Sequence, residues 1–361
     1  MPRILVVLEA GDRWPSGVVR GLAYRELFSK HGFSATFAVR QPLRMMDWVG
    51  RPPRILRRVV ANRAVRKHLL NWATKASEQR ILRIARNVDI VYMVKATSFP
   101  LVRALCQDTK ARVVYDFVDA VWLSECPSED FHGILRSVDA VTTDNELNAD
   151  YARRFNASCT VVPDAPQVES FDRRRNELGR KAEPPTTLGW VGSTSTAYNL
   201  YVIWEALEEL FAQHANLHLR LVGTGHDTRL LPPFEKVRFS CRPSYNQAEM
   251  IEEVFGMHIG LFPLQSVERS RSRGILKAAI YMSGEAVVVA SPVGQCPELI
   301  QDGVNGMLAA STREWVDKLE ILIGNADVRR RMAKNGLETV RSQFRLDQSF
   351  ARLKEVLLAG S

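Results

Sequence analysis

The chain has 361 residues, 46% hydrophobic and 25% charged, with a net charge of +9. That composition excludes disordered, collagenous and coiled-coil chains, and the length predicts about two domains. No stretch nears the roughly 18 unbroken apolar residues of a membrane span, and the short apolar run after Met1 meets Glu9 and Asp12, which argues against a signal peptide.

Taken in chain order, Arg3–Leu8 reads as a buried strand, followed by a Gly-containing loop (Glu9–Ser16) and a helical pattern from Gly17 to Ser29. Strand, loop and helix start together make a ready anion site, with Gly17 and Arg20 as its candidates. Ser34–Val39 is a second strand. Residues 40–86 then hold 13 Lys and Arg against two acids, a net +11, so the rest of the chain sums to −2. Trp48, Trp72, Met45, Met46 and several Leu, Ile and Val residues interleave those cations. Such a mixture suits an anionic membrane surface, and it also suits a solvated amphipathic helix pair. No nucleic-acid motif accompanies it, so no nucleic-acid partner is expected.

Strands are predicted at Val88–Val94, Arg112–Asp116, Ala140–Thr143 and Thr160–Val162, with helices Pro100–Gln107 and Asn145–Phe155 between them. Alternation of this kind implies a parallel sheet. Residues 166–187 turn charged and Pro-containing and read as a linker. Beyond it the alternation restarts. Strands are expected at Leu188–Gly192, Leu217–Gly223, Val237–Phe239, Ile259–Pro263 and Ala286–Ser291. Helices are expected at Leu200–His214, Gln247–Phe255, Ile275–Ser283 and Pro297–Gln301, and then at Arg313–Ile323, Ala326–Gln343 and Gln348–Ala359. The expected domains are 1–165, with the basic segment 40–86, and 188–345, followed by a helix at 346–361.

Two Rossmann-like halves put ligands at the carboxyl ends of their strands. Gly223-Thr-Gly225 follows a strand, but Thr228 stands where a dinucleotide fingerprint needs its third glycine. In Gly189-Trp-Val-Gly192-Ser193-Thr194-Ser195-Thr196 the hydroxyls and amides suit a phosphate, or a simple helix cap. Arg273 and Lys277 lie four apart at a helix start, where cations and backbone N–H groups suit a diphosphate, or form a solvated basic face. Asp116 and Asp119 sit at and just past a strand end, where a carboxylate suits accepting a proton or orienting a sugar, or serves as a helix cap or loop carboxylate. The seven histidines show no metal-ligand spacing, so no metal is expected. The five cysteines (Cys106, Cys126, Cys159, Cys241, Cys296) are odd in number and lack CxxC spacing. Neither a disulfide framework nor zinc is expected, and the cytoplasm is the expected location.

Trp190–Thr196, the pair Arg273 and Lys277, Tyr281-Met-Ser-Gly284, Val287–Ser291 and Glu298–Gly306 occur in one order. In that order they resemble the C-terminal half of the retaining GT-B glycosyltransferases of group 1, the glycogen-synthase-like family. The likeness spans about 188–345 and extends more loosely to Gly17-x-x-Arg20, Val114-Tyr-Asp116-Phe-Val-Asp119 and Thr143-Asp-Asn145. It implies an α/β fold of GT-B type, with two Rossmann-like domains facing each other across a cleft. It further implies a nucleotide-sugar donor held mainly by the C-terminal domain, a hydroxyl acceptor held by the N-terminal one, and transfer with retention and without a required metal or other cofactor. Ser193, Thr194, Arg273, Gly274, Ile275 and Lys277 would touch the diphosphate. Gly192, Arg242, Pro243, Glu268 and Tyr281 would lie near the nucleoside or sugar.

This chain departs from the family pattern in places. The helical glutamate position falls on Ala279 or Ile280, the usual Pro after the Gly is Ala286 preceded by Glu285, and the usual Asp before Ile259 is His258. An inactive scaffold of the same fold is therefore an alternative to the enzyme, as is a nucleotide-sugar epimerase. With the +11 segment, the acceptor is expected to be lipid-linked or membrane-proximal.

Overall fold

The computed structural model describes residues 1–50, 61–123, 126–178, 186–227, 229 and 231–359. Arg51, Arg54, Arg57 and Arg58 of the basic segment, residues 179–185 of the expected linker, and Thr228 lie outside them. The chain divides into two compact units, Met1–Pro163 with Asp347–Ser361, and Asp164–Leu346.

The first unit is built on a six-stranded parallel sheet of β1 (Arg3–Leu8), β2 (Ser34–Val39), β3 (Ile90–Val94), β4 (Arg112–Phe117), β5 (Ala140–Thr143) and β6 (Cys159–Val161), in the order β2-β1-β3-β4-β5-β6. β1, β3, β4 and β5 are almost wholly buried, which is why they read as unbroken apolar runs rather than as alternating ones. β1 is flanked by β2 on one side and β3 on the other. The strand order reverses there, and ligands of such sheets bind outside the strand ends at that point.

Gly21 breaks the helix expected over 17–29 into Pro15–Arg20, a 3-10 turn at Leu22–Tyr24, and Arg25–Lys30. A Cβ at Gly21 would strike Leu8, so the break lets this segment close onto β1. Helix Arg63–Ala85 is capped by the Asn62 side chain. Ser77 Oγ donates to the Val39 carbonyl at 2.8 Å, and Glu78 pairs with Arg40, which also pairs with buried Glu9. Those bonds hold its C-terminal half, where Ile81 and Ala85 are buried; upstream, Arg63, Arg66, Lys67 and Trp72 are exposed. Helix Leu346–Leu358 completes this unit. Phe350 packs edge-on against Phe28 with ring centroids 5.1 Å apart, and Leu353 and Leu357 are fully buried.

The second unit repeats the scheme with β7 (Thr186–Val191), β8 (Leu217–Val222), β9 (Phe239–Arg242), β10 (Ile259–Phe262), β11 (Val287–Ala290) and β12 (Gly306–Leu308), in the order β12-β11-β10-β7-β8-β9. Its reversal lies between β7 and β10. Four sequence expectations change here. Val168–Leu178, expected as linker, is a helix whose Val168 and Phe171 enter this unit's core. The helix expected over 200–214 is a 3-10 helix, Thr194–Val202, followed by Trp204–Gln213. β9 begins where the strand expected at 237–239 ends, and β12 arises inside the Asp302–Gly306 turn motif. No described helix is long and apolar enough to cross a membrane.

Candidate active site

In the second unit the expected phosphate-binding segments converge on the sheet's reversal point. Ser193–Thr196 follows β7, and Arg273–Lys277 follows β10. Lys277 Nζ lies 3.4 Å from Thr196 Oγ1 and stands over the rings of Trp190 (5.4 Å) and Phe262 (5.9 Å). The negative faces of two aromatic rings attract the ammonium and hold it beside the Ser193–Thr196 loop. Ser193 is the N-cap of the 3-10 helix. Its backbone N–H donates to Thr196 Oγ1, and its hydroxyl lies 3.0 Å from Ser195 Oγ and 3.2 Å from Thr196 Oγ1. Thr194, one residue on, opens the helix itself.

Arg273, Gly274 and Ile275 lead into helix Leu276–Ser283, whose start carries no side-chain cap. The first turn of a helix points its amides outward, where they suit an anion. The Arg273 N–H donates to the Ser270 carbonyl, and the Arg273 carbonyl accepts from Gln295, which fixes the turn.

The Gly223-Thr-Gly225 motif has a different purpose from dinucleotide binding. Gly223 (φ +86°) and Gly225 (φ +79°) are left-handed. A Cβ on Gly223 would collide with the Gly192 carbonyl, and one on Gly225 with Thr194. The two glycines let the ends of β7 and β8 close together. Gly192 is itself constrained, since a Cβ there would strike Trp190. Sequence reasoning missed two supports of this loop. Tyr245 donates to the Gly192 carbonyl at 3.1 Å, and Asn199 Oδ1 accepts from the Gln265 N–H at 3.1 Å. Neither belongs to a recognisable motif.

Several expected nucleoside or sugar contacts are bonded within the unit, and one is exposed. Tyr281 is fully buried; its hydroxyl donates to the Leu261 carbonyl and accepts from the Val191 N–H, and burial pushes its pKa up. It braces β7 against β10 and is not a nucleoside or sugar contact. Arg242 is engaged by Glu253 (2.7 Å) and Glu249 (3.2 Å). Pro243 gives its carbonyl to the Gly225 N–H. Glu268 is exposed on the short helix Glu268–Arg271. On helix Leu276–Ser283, Ala279 is fully buried, while Ile280, three residues from Lys277, is only partly so. His258 Nδ1 accepts from the Thr187 N–H at the opposite end of β7, as a structural residue.

In the first unit two expectations are overturned. Arg20 and Asp116 form a bidentate ion pair, with each side chain only 1% exposed. Arg20 also donates to the Val162 carbonyl, and Thr142 donates to Asp116 at 2.6 Å. Neither residue reaches outward, so Arg20 is no phosphate ligand and Asp116 no base. Gly17 serves packing, since a Cβ there would collide with the Gly11 carbonyl. Asp119 differs. It lies just past β4 with its side chain 18% exposed, and its carboxylate pairs with Lys95 Nζ at 3.2 Å.

Among the described residues no group of three or more His, Cys, Asp or Glu side chains is placed to hold a metal ion. The five cysteines are free thiols. Burial pushes Cys106 and Cys126 up to about 11, and Cys159 and Cys296 up to about 12, so none of those four is a ready nucleophile.

Residues 185–325, which carry this constellation, match the family model for glycosyl transferases group 1. They form a group 1 glycosyltransferase domain. The whole chain has the GT-B fold, as similarity to solved structures shows. HepE from Anabaena, solved in complex with UDP and glucose, superposes with a TM-score of 0.68 at 13% identity, covering 99% of this chain and 100% of that one. Sucrose-phosphate synthase from Thermosynechococcus elongatus gives 0.68 at 15% identity over all of both chains. A glycosyltransferase from Rickettsia africae gives 0.65 at 14%, covering 100% of this chain and 99% of that one. No curated protein matches the sequence.

Proposed function

We propose that this GT-B protein transfers a sugar from a nucleotide-diphosphate sugar to a hydroxyl acceptor, with retention of anomeric configuration and without a metal. The carrying observation is Lys277, held over Trp190 beside the Ser193–Thr196 hydroxyls at the reversal point of the second sheet. When the bond from the anomeric carbon to the diphosphate breaks, its electron pair goes to a phosphate oxygen. Lys277, Arg273 and the amides at Gly274 and Ile275 stabilise that growing charge more than they stabilise the bound donor. The acceptor oxygen forms the new bond from the face the diphosphate leaves, its O–H bond breaks, and Asp119 takes the released proton. HepE has been solved with UDP-glucose, which favours a uridine nucleotide as the first donor to try.

The test is a thermal-shift panel of nucleoside diphosphates and nucleotide sugars. A shift with UDP or UDP-glucose that disappears in Lys277→Ala supports the site, and an undiminished shift in that variant refutes it. Activity that survives EDTA supports the metal-free mechanism.

Ile280 favours one alternative, an inactive binding scaffold, because its side chain cannot accept a hydrogen bond where the family carries a carboxylate. Nucleotide binding without UDP release from UDP-glucose would support the scaffold. The exposed cations and Trp72 of helix Arg63–Ala85 further support work on a lipid-linked acceptor at an anionic membrane, on the cytoplasmic side.

A further inference from the structure

Lys95 was singled out by no motif, yet its place in the first unit is specific. It follows β3 directly, beside the point where the strand order reverses, and its N–H extends the ladder by donating to the Asp116 carbonyl at 2.7 Å. The Asp116 side chain, meanwhile, is consumed by Arg20 and Thr142. That leaves Asp119 as the carboxylate at this strand end that is open to solvent.

Lys95 and Asp119 share a second property. Both are left-handed, with φ of +52° and +63°, and Glu285 is the one other non-glycine residue with positive φ among the described residues. Left-handed backbone is costly for a side chain with a Cβ, and glycine would occupy it without strain. Two neighbouring strand ends thus each carry a strained charged residue, and the strain brings the two charges together at 3.2 Å with side chains 9% and 18% exposed. Glycine at either position would hold the same backbone without strain, so it is the two side chains, not the turns, that keep two strained residues in register.

We propose that Lys95 is a positioning residue for the transfer reaction: its ammonium holds the Asp119 carboxylate oriented toward the acceptor hydroxyl. The assignment rests on Asp119 serving the acceptor, as proposed above. An ionised carboxylate is a hydrogen-bond acceptor only, so the hydroxyl must present its proton to Asp119 and turn a lone pair toward the sugar. Lys95 does not itself touch the reacting atoms.

Glycine variants separate the side chains from the backbone. Lys95→Gly and Asp119→Gly relieve the left-handed strain while deleting the charges. The double variant Lys95→Gly with Asp119→Gly leaves neither charge unpaired, and if the pair is kept for function it should melt at or above the wild-type temperature, as expected when strained functional residues are relieved. If the double variant melts lower than wild type, the pair is structural and the proposal fails. The activity arm uses the full chain with UDP-glucose, following UDP release. Lys95→Gly should lose at least tenfold in kcat with unchanged KM for UDP-glucose, and added ethylamine should restore part of it. Unchanged turnover in Lys95→Gly overturns the proposal, as does a loss confined to KM for UDP-glucose. A wild-type chain that releases no UDP counts against the glycosyltransferase reading itself, and the melting comparison then decides the role of Lys95 alone.

Discussion

Arg20 and Asp116, 96 residues apart, meet in a closed fork: Nε to Oδ2 at 3.0 Å and Nη2 to Oδ1 at 2.5 Å. Removing one partner leaves a buried charge without compensation, at a cost of about 3–5 kcal/mol. Arg20→Met should therefore lower the urea midpoint sharply, and the double variant Arg20→Met with Asp116→Leu should recover much of the loss. A single variant within about 1 kcal/mol of wild type in urea melts would contradict the buried geometry.

Gly223→Ala should damage the donor loop from a distance. At φ +86°, with the Gly192 carbonyl in the path of the new methyl, the backbone must give way. A destabilisation of about 1–3 kcal/mol is expected, together with weaker UDP binding, because Ser193–Thr196 follows Gly192 directly. Calorimetric titration with UDP checks the second part, and unchanged affinity would detach the glycine pair from the site.

Ile280→Glu returns a carboxylate to the helix position three residues after Lys277. If the family's nucleoside contact is inherited, UDP should bind about tenfold more tightly, some 1.4 kcal/mol. Weaker binding would mean that the new carboxylate pairs with Lys277 instead.

His218 on β8 gives a pH dependence with a definite sign. Burial, then Arg220 and Arg238, hold its pKa below the ordinary 6.5, and its Nε2 lies 2.8 Å from Ser240 Oγ. Between 6.5 and that lower folded value the unfolded chain binds more protons, so stability falls as pH drops through the window. The urea midpoint should be lower at pH 5.5 than at pH 7.5, and the difference should shrink in His218→Gln. An equal difference in both proteins would remove His218 as its source.

Trp72 is 62% exposed on the basic helix Arg63–Ala85. With vesicles containing phosphatidylglycerol its fluorescence should shift to the blue, and Trp72→Ala should weaken co-sedimentation. High salt should reverse both effects, since charge attraction at a surface is screened. No pelleting at low salt would end the membrane proposal.

The strands were legible because most of them, in a parallel sheet covered on both faces, are uninterrupted apolar segments. Lys277 and the Ser193 loop were legible because they stand in an ordered family pattern. What escaped detection depended on partners distant in sequence. Arg20 and Asp116 each looked like an outward-facing charge at an element's end, and only folding shows that they neutralise one another. Tyr281 sat in the same family pattern as Lys277, yet its hydroxyl is spent on two main-chain groups of β7 and β10. Val168 and Phe171 were masked by the charges of Arg173, Arg174 and Arg175, so a packed helix read as linker. Lys95 had no neighbour in sequence to mark it, and its left-handed backbone is a property of the fold.

Helix Leu346–Leu358 gives the first unit part of its hydrophobic interior from beyond the entire second unit. On the ribosome, Asp164–Leu346 is synthesised in full before Phe350 exists. The nascent first unit must wait with Tyr24 and Phe28 uncovered on that side, and its final closure is timed by the arrival of Phe350, Leu353 and Leu357. The order of completion therefore runs against the order of synthesis, and the half that begins first is the last to be finished.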